Sequence, residues 1–292
     1  MNLAHSVTIK LVLVVVSLMV SGAGGAETKL VTHCQGSGET IYLVGGGPAF
    51  TTWNLRPVHQ HLAMTYRVCR WDMRGVGDNA ALPVSNKQTL VTQWLSDMTT
   101  TLPKESVILW GHSWGALQVL LFARAHPARV DRIVLSNPVD PLLLSLENIE
   151  NKRYIHTDHA PQINIDMMGT PEEKYYLMRE KIASYFVDGK TGWDYAAHFS
   201  LQDSNSAYNV RAWEEYRADG LTDREVRRLG KKVAGILYCD DDVLQPENQK
   251  EYTRLIQDTV HYTIDNCAHF PWVENPVGYY KGLDSILSNK GI

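Results

Sequence analysis

The stretch Val107-Ile-Leu-Trp-Gly-His-Ser-Trp-Gly115, running on into Ala116-Leu-Gln-Val-Leu-Leu-Phe-Ala123, constrains this chain more than any other. An apolar run of strand length enters a Gly-x-Ser-x-Gly turn and leaves as an apolar helix, with no loop between them. A turn this sharp holds its apex residue, Ser113, in a strained backbone conformation, and side chains at Gly111 and Gly115 would clash around it. The Ser113 hydroxyl is thereby lifted above the sheet, at a helix N-terminus whose partial positive charge favours developing negative charge.

The same rhythm runs through most of the sequence. Strands are expected at Lys29–His33, Thr40–Val44, Tyr66–Trp71, Ser106–Trp110, Arg132–Leu135, Val233–Tyr238 and Val260–Ile264. Helices are expected at Trp53–Met64, Leu90–Leu102, Gly115–Ala125, Gln245–Leu255 and Val277–Leu287. This alternation predicts an α/β fold, a mostly parallel sheet flanked by helices. From Val139 to Leu229 there is no good buried strand, and the text is helical and aromatic, as in Trp213-Glu-Glu-Tyr216. So long a connection without structure of its own would be unusual, so a helical lid over the strand C-terminal ends is expected there.

A serine hydroxyl becomes a nucleophile only when a base takes its proton and a third group orients that base. The C-terminal third supplies both. One strand runs into Cys239-Asp-Asp-Asp-Val-Leu-Gln-Pro246, and the next leads to Asp265-Asn-Cys-Ala-His269-Phe-Pro-Trp-Val-Glu-Asn-Pro276. Asp240, Asp241 and Asp242 are all candidates for the acid, since acid runs are also common as solvated turns. His112, inside the Gly-x-Ser-x-Gly turn, reads as structural. No HExxH or other metal-ligand spacing is present.

Four blocks together resemble the α/β-hydrolase superfamily, in particular its proline-iminopeptidase-like branch, peptidase family S33: Leu43-Val-Gly-Gly-Gly-Pro48, Trp71-Asp-Met-Arg-Gly-Val-Gly77, Gly111-His-Ser-Trp-Gly115 and Ala268-His-Phe-Pro-Trp-Val-Glu-Asn-Pro276. The resemblance covers the sheet-bearing segments and not the insertion. It implies the α/β-hydrolase fold, with a core at 27–138 and 230–292 and a helical cap at 139–229. It also implies a Ser113–His269–Asp242 triad working through an acyl-enzyme, Asp242 being selected by its spacing to Pro246. Oxyanion donors would be the backbone N–H groups of Gly47 and Trp114. No metal or cofactor is implied. The family's activity is that of an aminopeptidase, with Glu214 and Glu215 as candidate anchors for a substrate amino terminus. A carboxylesterase or lipase with the same triad is the alternative, and a hydrolase fold used only for binding is a further one. The chain departs from the branch's His-Gly-Gly-Pro-Gly loop at Gly45 and Ala49. Because the fold makes the strands bearing them neighbours, it also implies disulfides Cys239–Cys267 and Cys34–Cys69.

Composition narrows the partners. A formal net charge of −4 and 21% charged residues give no basic footprint for nucleic acid. The expected partner is a small molecule or short peptide, and oligomeric state is open. At the N-terminus, Lys10 precedes the apolar run Leu11–Val20 and the small residues Ser21-Gly-Ala-Gly-Gly-Ala26. That is the pattern of an export signal cleaved after Ala26, too short for a bilayer span, and it places the mature protein in a periplasmic or extracellular setting. An even number of cysteines after that point fits disulfide formation there.

Overall fold

The computed structural model describes residues 29–144, 169–244 and 247–289; the expected signal segment and Pro246 lie outside them. A seven-stranded sheet has the order β1-β3-β2-β4-β5-β6-β7. Its strands are β1 (Thr32–Gln35), β2 (Thr40–Val44), β3 (Arg67–Trp71), β4 (Val107–His112), β5 (Val130–Ser136), β6 (Val233–Cys239) and β7 (Val260–Ile264). All neighbours pair in parallel except β1, which runs antiparallel to β3. The chain passes from β2 outward to β3, then returns to place β4 on the other side of β2. That reversal opens a crevice beyond the C-terminal ends of β2 and β4, where sheets of this kind bind ligands.

Burial follows from the sequence pattern. Every residue of β4 is buried, as a central parallel strand covered on both faces requires. Leu109 points into one apolar layer, with Leu117, Leu120 and Trp94, while Ile108 and Trp110 point into the other, with Val58, Leu62 and Leu283. Helices α2 (Leu90–Thr101) and α3 (Trp114–Ala125) build the first layer; α1 (Arg56–Leu62) and the C-terminal helix Pro276–Ser288 build the second. Helix α3 is buried from Trp114 to Ala123, which accounts for its being apolar all round.

The two largest shifts in element starts, each of three residues, have local reasons. The first strand begins at Thr32, because the Val31 N–H donates to the Asn79 side chain at 2.8 Å and so leaves the ladder. The helix expected from Trp53 opens as a 3₁₀ turn, with Leu55 N–H bonded to Thr52 O, and becomes α-helical only at Arg56.

Between β5 and β6 the described residues form helices α4 (Pro171–Ala183), α5 (Gly189–Ala196), α6 (Ser206–Ala218) and α7 (Asp223–Gly230). Capping boxes start α4 and α7, from Thr170 with Glu173 and from Thr222 with Glu225, while Asp188 and Asn205 cap α5 and α6. Helix α7 packs against α3 and against α8 (Glu247–Leu255), in the helical layer of the sheet itself.

Two disulfides join Cys34 to Cys69 across the β1–β3 pair and Cys239, at the end of β6, to Cys267 after β7. Among the described residues no helix is long and apolar enough to cross a membrane.

Candidate active site

Strand β4 delivers Ser113 to the N-cap of α3 with φ 55° and ψ −123°, a left-handed conformation that costs a non-glycine residue about 1–3 kcal/mol. Packing enforces it. The Ser113 N–H is bonded to Ser136 O at 3.1 Å, and Ser113 O accepts from Ala116 N at 3.0 Å. A Cβ on Gly115 would lie 2.1 Å from Val44 O, and one on Gly111 would lie 2.6 Å from Gly115 O. Both flanking positions are therefore closed to any side chain.

The structure brings together His269 and Asp242, the expected base and acid. His269 Nδ1 lies 2.9 Å from Asp242 Oδ2 and 3.1 Å from Oδ1, with side chains 5% and 0% exposed. The carboxylate can only accept, so Nδ1 carries the proton and Nε2 is left as the acceptor. Asp242 also accepts from Asn137 Nδ2 at 2.7 Å and from Leu244 N at 3.1 Å. Burial opposes its charge, but His269 and these hydrogen bonds outweigh burial and hold its pKa below the ordinary carboxylate value. Asp240 and Asp241 are exposed. Among the described residues no hydrogen bond joins Ser113 Oγ to His269 Nε2; such contacts often tighten only when substrate is bound.

Sequence reasoning missed residues that shape this pair. Asn137, at the end of β5 with φ 43°, donates from one amide nitrogen to Asp242 and to Ala268 O at 3.1 Å. It ties the acid to the histidine loop. The only local hint is a Ser136-Asn137-Pro138 strand ending, where Asn tolerates positive φ. Tyr185, between α4 and α5, stacks on His269 with ring centroids 4.8 Å apart, and its carbonyl accepts the His269 N–H at 3.0 Å. Nothing in sequence pairs those two positions.

His112 is structural, as read. Its Nε2 donates to His269 O at 2.9 Å, and its ring centroid lies 4.6 Å from that of His269. Complete burial, followed by the proximity of His269, pushes its pKa down to about 3 and keeps the ring neutral. The Gly45–Pro48 loop presses on Ser113: a Cβ on Gly46 would come within 2.8 Å of Ser113 Cβ and 3.3 Å of its Oγ. Gly47, next along, has φ 120°. Trp114 opens α3, where the first backbone N–H groups have no partner within the helix.

Other singled-out residues have different work. Glu215 accepts from Leu90 N at 3.0 Å, Val91 N at 2.9 Å and Arg211 Nε at 2.7 Å, so it caps α2 from α6. Glu214 is exposed. Asp72 accepts from Thr52 N and Thr52 Oγ1, stapling the loop after β3 to the loop after β2, which suits the structural role read for that block.

A parallel sheet with a strand-order reversal, a strained serine between β4 and α3 and a buried Asp–His pair beyond β6 and β7 define a fold family. The family described as "alpha/beta hydrolase fold" matches residues 39–162. The chain has the α/β-hydrolase fold and is a hydrolase of that fold. Among its relatives, 2-hydroxy-6-oxo-6-(2'-aminophenyl)hexa-2,4-dienoic acid hydrolase of Metapseudomonas resinovorans is 26% identical over 92% of this chain and 90% of that protein. The proline iminopeptidase of Heyndrickxia coagulans is 20% identical over 87% and 92%. The structure of a meta-cleavage product hydrolase from Pseudomonas fluorescens IP01 superposes with a TM-score of 0.65 at 16% identity, covering 89% of this chain and 94% of that one.

Proposed function

We propose that this chain is an exported serine hydrolase that cleaves small carbonyl substrates through an acyl-enzyme on Ser113. The observation that carries the reading is the buried Asp242–His269 pair beside a serine held at positive φ. Ser113 Oγ attacks the substrate carbonyl as its proton passes to His269 Nε2. Asp242 holds the Nδ1–H and stabilises the imidazolium that forms. The Gly47 and Trp114 N–H groups receive the oxyanion. The tetrahedral intermediate then collapses: the bond from the carbonyl carbon to the leaving group breaks, a C–O bond in an ester or a C–C bond in an oxo-dienoic acid, and His269 gives its proton to the departing atom. A water attacks the acyl-serine, His269 takes its proton, and the acid leaves as Ser113 is restored.

For the substrate, the favoured class is an ester or a 2-hydroxy-6-oxo-dienoic acid of the kind named for the Metapseudomonas relative. An aminopeptidase would hold its substrate's ammonium with a free carboxylate. Of the two glutamates considered for that task, Glu215 is committed to α2 and Glu214 is exposed. Aromatic side chains are plentiful instead: Trp53, Tyr195 and Phe199 pack together, and Phe270, next to His269, packs on Tyr195. The likeness to the iminopeptidase keeps N-terminal peptide cleavage as the second reading. The helices over the site form the substrate-covering cap in this proposal. The disulfides support export, since such bonds persist in oxidising compartments.

The test compares kcat/KM on p-nitrophenyl acetate, an oxo-dienoic acid and prolyl-arylamide, with Ser113→Ala as control. Ester or dienoate turnover should dominate, and Ser113→Ala should lose about 10⁴-fold or more. Turnover confined to arylamides with free amino termini transfers the assignment to the peptidase, and an active Ser113→Ala removes the mechanism.

A further inference from the structure

The loop that faces the nucleophile is not shaped by the sheet alone. It leaves β2 through Gly45 and Gly46, passes Gly47 at φ 120°, and reaches Ala49 at φ 58°. A non-glycine residue in that region is strained and persists only where its surroundings over-determine it. Here the surroundings belong to the segment that leads into α6. Asn209 Nδ2 donates to Pro48 O at 2.8 Å, and the Asn205 N–H donates to Ala49 O at 3.0 Å. The Thr51 N–H donates to Asp203 O at 2.9 Å and the Thr51 hydroxyl to Asp203 Oδ1 at 2.7 Å, around an antiparallel bridge between Phe50 and Ser204. The carbonyls of Pro48 and Ala49 are thus both held by the insertion.

The same segment is itself braced against the core. Asn205 Nδ2 reaches Gly75 O at 3.3 Å, and the Tyr208 ring lies where a Gly75 side chain would stand, 2.1 Å from its Cβ position. Glu215, about one and two-thirds turns beyond Asn209 on α6, fastens that helix to the start of α2. Helix α6 is therefore a rigid support rather than a loose cover, and Asn209 is the side chain by which it grips the loop. Asn205 contributes a backbone N–H and caps α6, so its replacement would disturb the helix itself.

We infer that Asn209 is a positioning residue for the oxyanion loop: its amide, donated from the insertion, holds Pro48 O and thereby sets Gly47 against Ser113. This rests on the acyl-enzyme reading above. It gives the insertion a part in transition-state stabilisation, beyond substrate choice, because a donor that stabilises an oxyanion must already be in place when charge develops.

Asn209→Asp keeps the shape but turns the donor into an acceptor facing a carbonyl; Asn209→Ala removes it with no new repulsion and serves as the second variant if the first folds poorly. Folded enzyme is counted by stoichiometric fluorophosphonate labelling and thermal melting. Removing an oxyanion donor outright costs about 10²–10³-fold in kcat, so a displaced one should cost about 10–100-fold, with KM for p-nitrophenyl acetate within about 3-fold. Binding of an aryl trifluoromethyl ketone, which forms a tetrahedral adduct, should weaken in parallel with kcat/KM. A loss confined to KM, an unchanged kcat, or a kcat loss with undiminished ketone affinity each overturns the inference. An active Ser113→Ala is a different result, and it removes the acyl-enzyme reading instead.

Discussion

His112 ties the acid stability of this protein to the active site. Its ring is fully buried between the Gly-x-Ser-x-Gly turn and the histidine loop, Nε2 donates to His269 O, and its pKa falls from 6.5 to about 3. Because the folded-state value is depressed, the unfolded chain binds a proton that the folded chain refuses. The stability that His112 contributes is therefore complete above pH 6.5 and drains away as pH falls toward 3. Between pH 7 and pH 5 the unfolded imidazole goes from mostly neutral to mostly charged while the folded one stays neutral. With each pKa unit equal to about 1.36 kcal/mol, that window costs about 2 kcal/mol. His112→Gln keeps a donor for His269 O and removes the titration. Urea unfolding of both proteins at pH 7 and pH 5 should show the wild type losing about 2 kcal/mol more than the variant between the two pH values. Equal losses would mean that His112 is not held neutral in the folded state, and that the burial argument is wrong.

Asp242→Asn should cut kcat by about 10⁴-fold, as tautomer control is lost, whereas Asp240→Asn and Asp241→Asn, at exposed positions, should stay close to wild type; a severe Asp241→Asn would reassign the acid. Replacing Cys239 and Cys267 by Ser should destabilise the fold by about 3–4 kcal/mol, the entropy of opening a loop of that length, measured by denaturant unfolding. It should also lower kcat more than the equivalent change at Cys34 and Cys69, because only the first bridge joins the acid loop to the histidine loop; equal effects of the two pairs on kcat would refute that linkage.

Much of this is legible in the sequence. Local interactions dominate a strand–turn–helix, so Gly111–Gly115 announced both the parallel sheet and the strained serine, and apolar alternation located every strand to within a few residues. Each cysteine pair followed once the fold's strand order was assumed. Spacing to Pro246 singled out Asp242, and the structure puts that carboxylate, rather than its two neighbours, against His269. What sequence could not provide were contacts between positions far apart in the chain whose side chains carry no pattern of their own. Asn137 reaches Asp242 across 105 positions, and Asn209 reaches Pro48 across 161. Glu215 looked available for a ligand until α6 was seen to lie against the start of α2, where two unpaired backbone N–H groups claim its carboxylate. Local propensity and hydrophobic period determine elements and order, because they act between near neighbours. Which polar groups remain free for chemistry is decided only when the helices settle on the sheet, since each buried donor must then find an acceptor wherever the packing brings one.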